Sequence, residues 1–245
     1  MSKSYQSFEG KVRSLKLHIQ LADIAFSKAN KKCSRNKNNG KTIGETLGST
    51  TAIHPQLNIP NNPKNIGRVF ATSRIKINEQ AIIELYAYFA DYVSGVIREF
   101  ENTNPNRILG LIPPQTPTDL SYKDIFVLGN YASILDEIAK RVFRSLEDER
   151  NTCKLLKKFI KTTKQNVSVN IQQEALVYLE IRHLIIHNNS KADTKFNSMN
   201  NHGLVAVHHR DKKIAINYAL TNSAIDAVSL LCKTMDDELV RLGLI

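Results

Sequence analysis

The chain has 245 residues, enough for one large domain or for one domain with an elaborated arm. Its hydrophobic content of 42% and its Leu/Ile-rich periodic segments predict a globular core and argue against a disordered chain. No apolar run approaches the roughly 18–20 residues of a membrane span, and the first residues lack the apolar core of a signal peptide. We therefore expect a cytoplasmic protein with no membrane partner.

The three cysteines, Cys33, Cys153 and Cys232, are odd in number and far apart in the sequence. This spacing indicates neither a disulfide framework nor a zinc cluster. It is typical of a protein in a reducing compartment.

The formal net charge of +11 is concentrated in the first third of the chain. Residues 1–76 contain fourteen Lys/Arg and three Asp/Glu, whereas residues 77–245 contain twenty of each. Such a block favours a polyanionic partner. The alternative is an arm that only keeps the protein soluble.

Residues 5–32 have the pattern of a basic amphipathic helix, with apolar residues at helical spacing: Phe8, Val12, Leu15, Ile19 and Ala22. Residues 33–66 are rich in Asn, Gly and Pro and predict a long loop or mobile arm. Its Gly40-Lys41-Thr42 is not a phosphate loop, because Arg35 occupies the position of the first glycine and no strand precedes it. The basic residues of this part expected to contact a polyanion are Lys31, Lys32, Arg35 and Lys37.

Stronger helical patterns follow from Asn78, which with Glu79 predicts a helix start. Its apolar residues are three and four apart: Ile82, Tyr86, Phe89, Val93, Ile97 and Phe100. The helix is expected to end before Pro105. Four prolines make residues 105–120 a connection that is not helical throughout. Further helices are predicted over about 129–148, 150–164 and 170–187.

The periodicity changes over residues 204–218, where two short apolar runs flank the turn Arg210-Asp211-Lys212. This pattern predicts a small β-hairpin near 204–217. The last helix, about 221–243, has an apolar seam suited to antiparallel packing or to a helix–helix dimer contact. We therefore predict an all-α, antiparallel helical bundle with one hairpin. Residues 1–77 form a basic helix and arm, and residues 78–245 form the helical domain.

A lysine stripe in the fourth predicted helix is a second basic feature: Lys154, Lys157, Lys158, Lys161 and Lys164. Apolar residues occupy the opposite side of the same helix. Such a stripe can follow a phosphate backbone. The alternative is an ordinary solvated helix face.

The densest group of chemically capable residues lies in the segment Glu180-Ile181-Arg182-His183-Leu184-Ile185-Ile186-His187-Asn188-Asn189. On a helix His183 and His187 share a face, and Glu180 lies one turn before His183. A histidine pair with a carboxylate can bind zinc, but neither a second Glu-x-x-His nor a third soft ligand occurs at a suitable spacing. An inert structural role for these polar residues is a second interpretation.

RNA cleavage without a metal is the third interpretation. RNA carries its own nucleophile, the 2′-hydroxyl, so the enzyme supplies a base, an acid and charge stabilisation at the phosphate. A histidine can move the proton, and an arginine can bind two phosphoryl oxygens. Arg182 lies about 140° around an ideal helix from His187. Either the helix ends near His187, or two subunits complete one site.

The motif Arg-His-x-x-x-His-Asn at 182–188 resembles the signature of the HEPN ribonucleases: Arg, a polar residue, then His after a short gap. The resemblance is firm over about 170–200 and looser over 78–245. It implies an α-helical homodimer with one composite cleft. Arg182 would bind the phosphate and His187 would act as acid and base, with His183 orienting them and with Glu180 and Asn188 in support.

The resemblance implies a metal-independent endoribonuclease that needs no cofactor and acts as a toxin or phage-defence effector. Its partners would be RNA, a second copy of the chain, and an antitoxin or regulatory protein. The competing hypothesis is a non-catalytic HEPN module that binds RNA or a partner protein.

Overall fold

The computed structural model describes residues 1–50, 52–103, 120–148 and 152–245, which are mostly helical. The α-helices of these ranges, numbered in chain order, are α1 (Lys3–Arg35), α2 (Ile43–Leu47), α3 (Pro63–Thr103), α4 (Tyr122–Leu128), α5 (Tyr131–Asp148), α6 (Thr152–Thr163), α7 (Val169–His187), α8 (Thr194–Met199) and α9 (Tyr218–Arg241). A short 3₁₀ turn occupies Pro55–Leu57. The prediction of an all-α chain is confirmed for these residues.

Helices α1 and α3 pack antiparallel along much of their length. At one end the Ser4 backbone amide donates to a Glu99 carboxylate oxygen at 2.8 Å. Near the other end the Arg74 guanidinium lies 3.4 Å from an Asp23 carboxylate oxygen. The apolar stripe of α1 faces inward throughout its first half, and its buried members are Tyr5, Phe8, Val12, Leu15 and Ile19. The first helix is therefore part of the main core.

Helices α7 and α9 complete the bundle. The backbone amide of Ser2 donates to both carboxylate oxygens of the buried Asp236, so the end of α9 lies beside the start of α1. The apolar seam of α9 is buried inside this chain, at Ile225, Val228, Cys232, Met235 and Leu239. Because the seam packs within the bundle, it is not exposed to form the helix–helix dimer contact that its spacing also allowed.

Helix α3 begins at residue 63, not at Asn78 as predicted. Pro63 occupies the first helical position, where its missing N–H costs nothing, and the Asn62 side chain accepts a hydrogen bond from the Asn65 amide at 2.9 Å. Asn78 lies inside the helix and donates to the Arg74 carbonyl instead of capping an end. The expected division between residues 77 and 78 falls inside the same helix.

The described part of residues 33–66 is mostly loop, with a single short helix and a 3₁₀ turn, and it packs against the bundle. Ile43, in the short helix α2, and Cys33 are fully buried in a second small core with Ile66 and Phe70. The buried Asn61 side chain donates to the carbonyls of Cys33 and Asn36. These contacts bind the segment to the ends of α1 and α3.

The segment expected to form a hairpin, which the structure describes throughout, contains no strand, and the hairpin is not confirmed. Isolated antiparallel bridges join Val207 to Ile214 and Lys191 to Lys213. The turn between residues 208 and 213 is closed by the Lys212 amide, which donates to the His208 carbonyl at 2.9 Å. Two backbone hydrogen bonds flank the Val207–Ile214 bridge, from His208 N to Lys213 O at 2.8 Å and from Ala215 N to Ala206 O at 3.1 Å.

The middle of the chain is described in part. The Pro-rich connection predicted over 105–120 lies outside the described residues except for Leu120. Helix α5 contacts the bundle through Arg98 of α3, whose Nε lies 3.2 Å from an Asp136 carboxylate oxygen. Among the helices of the described ranges, none combines the length and the apolar composition that crossing a membrane requires.

Candidate functional site

Helix α7 carries the Arg-His-x-x-x-His motif and is the central helix of the bundle. Every residue from Ala175 to Ile181 is buried, so this stretch is covered on all sides. Burial becomes one-sided after Ile181, where Leu184 is fully buried and His187 is exposed. The motif therefore lies where the helix emerges from the core.

The two histidines lie side by side on the emerging face. Their ring centroids are 4.8 Å apart and the ring planes are tilted by 42°. His183 is half-buried and His187 is exposed. The predicted shared face is confirmed, and a substrate has access to the ring of His187.

Arg182 lies on another side of the helix. Its guanidinium carbon is 4.9 Å from the centroid of the Tyr86 ring of α3, a cation–π contact. Among the described residues no hydrogen bond or ion pair links Arg182 to either histidine. Because α7 stays regular to His187, the angular separation expected for an ideal helix applies, and one chain does not bring Arg182 and His187 together.

Glu180 is buried and forms an ion pair with Lys195 of α8, whose Nζ lies 2.7 Å from a carboxylate oxygen. A buried carboxylate is stable only with such a partner. Glu180 therefore links α8 to α7, and its carboxylate is paired with Lys195 rather than with the histidines. The sequence did not indicate Lys195, because the pair joins two helices fifteen residues apart.

Asn188 ends α7 and supports the turn after it. Its side-chain amide donates to the Lys191 carbonyl at 2.7 Å, and its backbone amide donates to the Leu184 carbonyl. Asn189 and Ser190 then adopt positive φ values of 50° and 59°, a conformation that asparagine tolerates better than most residues. Asn188 thus fixes the chain beside the histidines rather than donating towards them.

The turn is also bound to α3. The Ser190 hydroxyl donates to a Glu79 carboxylate oxygen at 3.1 Å, and the other oxygen of Glu79 accepts from Lys76 at 2.6 Å. Glu79 therefore anchors the end of the motif helix to a helix more than 100 residues earlier in the chain. No sequence pattern signalled this contact.

The basic residues predicted to contact RNA lie on two separate helices. Those of the N-terminal block are exposed around the end of α1: Lys31, Lys32, Arg35 and Lys37. In α6, Lys157 and Lys161 are exposed while Leu156, Phe159 and Ile160 are buried, which confirms the two-sided pattern. Lys158 is half-buried, and the side chain of Lys154 lies outside the described part.

Within the described residues, no group of three or more His, Cys, Asp or Glu side chains is arranged to hold a metal ion. A cleft of about 470 Å³ lies between α1 and α3, and Lys3, Lys11, Tyr88 and Arg98 are among its lining residues. None of its lining residues belongs to α7. The cleft is therefore separate from the histidine pair.

Comparisons of the chain with protein-family models, with curated proteins and with solved structures found no match. Membership of the HEPN family stays a prediction from the motif on α7.

Proposed function

We propose that the protein is a metal-independent endoribonuclease that cleaves RNA by attack of the 2′-hydroxyl and leaves a 2′,3′-cyclic phosphate. The observation that carries this proposal is the exposed ring of His187 beside that of His183, at the end of a helix whose preceding turns are buried. A histidine in this position is accessible to a proton of the substrate while its backbone is fixed. The resemblance to HEPN ribonucleases extends the proposal to a toxin or phage-defence effector.

The proposed site is composite, with two copies of the chain contributing to one cleft. Within one chain Arg182 rests on Tyr86, on a different side of α7 from His187. Acid–base catalysis and phosphate binding must act on the same phosphodiester, so the arginine of one copy would serve the histidine of the other. His183 would orient the pair.

The second candidate is a module that binds RNA or a partner protein without cleaving. The stacking of Arg182 on Tyr86 favours it, because this contact occupies one face of the guanidinium within the fold and gives the arginine a structural role. An antitoxin or regulatory protein would then be the partner. A cleavage assay separates the two candidates.

The first test is cleavage of single-stranded RNA by the full chain in the presence of EDTA. The expected product carries a 2′,3′-cyclic phosphate end. Activity that disappears with the chelator and returns with zinc or manganese would instead indicate a metal enzyme. RNA that is bound but never cleaved would favour the non-catalytic module.

We predict that His187→Ala and Arg182→Ala each lower the cleavage rate about 10²–10⁴-fold, the usual contribution of acid–base groups. His183→Asn should have a smaller effect. The control is the melting temperature and circular dichroism of each variant, which should match those of the wild type for His187→Ala because that side chain is exposed. Near-full activity in both alanine variants would reject the site. If the site is composite, mixing the two inactive variants should restore part of the activity.

A further inference from the structure

Two lysines face each other next to the end of the motif helix. Lys191 and Lys213 form an antiparallel bridge. Backbone hydrogen bonds of 2.8 and 2.9 Å flank the bridge, from Ala192 N to Lys212 O and from Ile214 N to Ser190 O. Lys191 is four residues beyond His187 and directly follows the turn that ends the motif helix.

The bridge is of the kind that brings side chains closest. Its hydrogen bonds lie on either side of the lysine pair and not between the two residues, and in such pairs the Cβ atoms are about 4.5–5.5 Å apart on one face. Ala192 and Ile214, the next residues of the two segments, are buried. Side chains of neighbouring residues at such a bridge lie on opposite sides, so the two lysines share the side away from Ala192 and Ile214, where Lys191 is exposed and Lys213 is half-buried.

No carboxylate of the described residues lies within ion-pair distance of either lysine. Two acidic groups near the pair are bound elsewhere, Glu79 to Ser190 and Lys76, and Asp193 to the Phe196 amide. Asp211 accepts from the backbone amide of Lys213 and forms no ion pair with either ammonium group. Like charges directly opposite each other destabilise a bridge. A bridge with only a structural role would be more stable without two lysines at these positions.

His208 extends the basic row. Its backbone amide donates to the Lys213 carbonyl at 2.8 Å, and its exposed side chain follows the inward-facing Val207. His208, Lys213 and Lys191 therefore form one outward row across the three segments. We propose that this row binds the phosphate backbone of RNA, which rests on the proposed ribonuclease function, and that it leads the strand to His187.

Phosphate is the chemistry that this row fits. Two adjacent ammonium groups supply hydrogen-bond donors and positive charge, and the imidazole beside them supplies a further polar contact. An anion between the lysines attracts both ammonium groups and offsets their mutual repulsion. Phosphate contacts fix the register of a strand without selecting its sequence, so the row should bind RNA of any sequence.

The test uses 2′-O-methyl RNA, which keeps the phosphates but lacks the free hydroxyl needed for cleavage, so binding is measured apart from catalysis. Lys191→Gln combined with Lys213→Gln should weaken binding roughly tenfold at 0.15 M salt and lower the slope of log K against log salt by about 1.4. The charge-matched control is Lys123→Gln with Lys233→Gln, at exposed positions of α4 and α9. It should change the slope much less.

Lys213→Glu should change stability and RNA affinity in opposite directions. Replacing repulsion across the bridge by attraction should raise the melting temperature by about 1–4 °C while RNA binding falls. A residue with only a structural role would not show this opposition. Unchanged affinity and slope in these variants, or no binding of 2′-O-methyl RNA by the wild type, overturns the inference. Binding through the row without any cleavage of ordinary RNA would support the row as an RNA-binding surface, and it would reject the ribonuclease function and the delivery of the strand to His187.

Discussion

Gly95 lies where α3 packs closely against the start of α1. A Cβ atom built on Gly95 would collide with the side chain of Ser4, whose Oγ donates to Glu99. Ser4 is held there by the start of α1, where the Ser2 side chain caps the helix. The absence of a side chain at Gly95 therefore sets the spacing of the two longest helices of the bundle.

Gly10 provides the matched comparison, because it lies inside α1 with nothing within 4 Å of the position of a Cβ. We predict that Gly10→Ala stabilises the protein by about 0.5–1 kcal/mol through helix propensity alone. Gly95→Ala gains the same propensity but must displace Ser4, and overpacking of this kind costs about 1–3 kcal/mol. It should therefore be net destabilising by about 1 kcal/mol in denaturant unfolding. A stabilised Gly95→Ala variant would show that the helices separate at little cost.

At the scale of elements, the end of α9 holds the connection between α6 and α7. Glu238 accepts two hydrogen bonds from the Arg241 guanidinium, at 2.8 and 2.9 Å, and one from the backbone amide of Asn166 at 2.7 Å. The Arg241 hydrogen bonds, and next the Asn166 amide, lower the pKa of Glu238 from 4.5 to about 2. The ionised carboxylate is thus the form that the fold favours.

This lowered pKa predicts a pH dependence of stability. The stabilisation from Glu238 is complete above pH 4.5 and is lost as the pH falls towards 2, because the unfolded state binds the proton first. Glu238→Gln should therefore unfold with a smaller dependence on pH between 4.5 and 2, measured by denaturant titrations across that range. Arg241→Gln should produce most of the same change. Parallel curves for wild type and both variants would contradict the assignment.

At the scale of the whole molecule, α1 serves both the core and the charge of the protein. Its first half buries five large apolar side chains against α3 and α9. Burial contributes about 1.5–3 kcal/mol per side chain of this size, so the set is worth about 10 kcal/mol, comparable with the total stability of a typical domain. We predict that deletion of residues 1–76 leaves residues 77–245 without cooperative unfolding.

The basic end of α1 allows a cleaner test of RNA binding, because it is remote from that stripe. Charge reversal at the four exposed positions Lys31, Lys32, Arg35 and Lys37 should leave the melting transition cooperative. The slope of log K against log salt for RNA binding should fall by about 0.7 for each phosphate that the variant no longer neutralises. An unchanged slope would show that this block keeps the protein soluble and does not bind RNA, whatever the outcome at Lys191 and Lys213.

The long helices could be predicted from the sequence because their signals are local. Apolar residues three and four apart located α1, α7 and α9 to within a few residues, and the same rule placed His183 and His187 on one face. The start of α3 was missed because the residues from Pro63 to Ile77 have a weaker periodic pattern. They are helical since Ile66 and Phe70 pack against Cys33, about thirty residues away in the sequence.

The sequence by itself determined the helical class of the chain, the concentration of charge at its N-terminus, and the motif that suggests a ribonuclease. Only the tertiary structure decided what each motif residue touches: Tyr86 for Arg182, Lys195 for Glu180, and solvent for His187. The physical reason is that the side chains of one helical face recur every three or four residues, so a short stretch of sequence is enough to recognise the face. Ion pairs, ring contacts and the meeting of Lys191 with Lys213 depend on which distant helix or turn packs beside them.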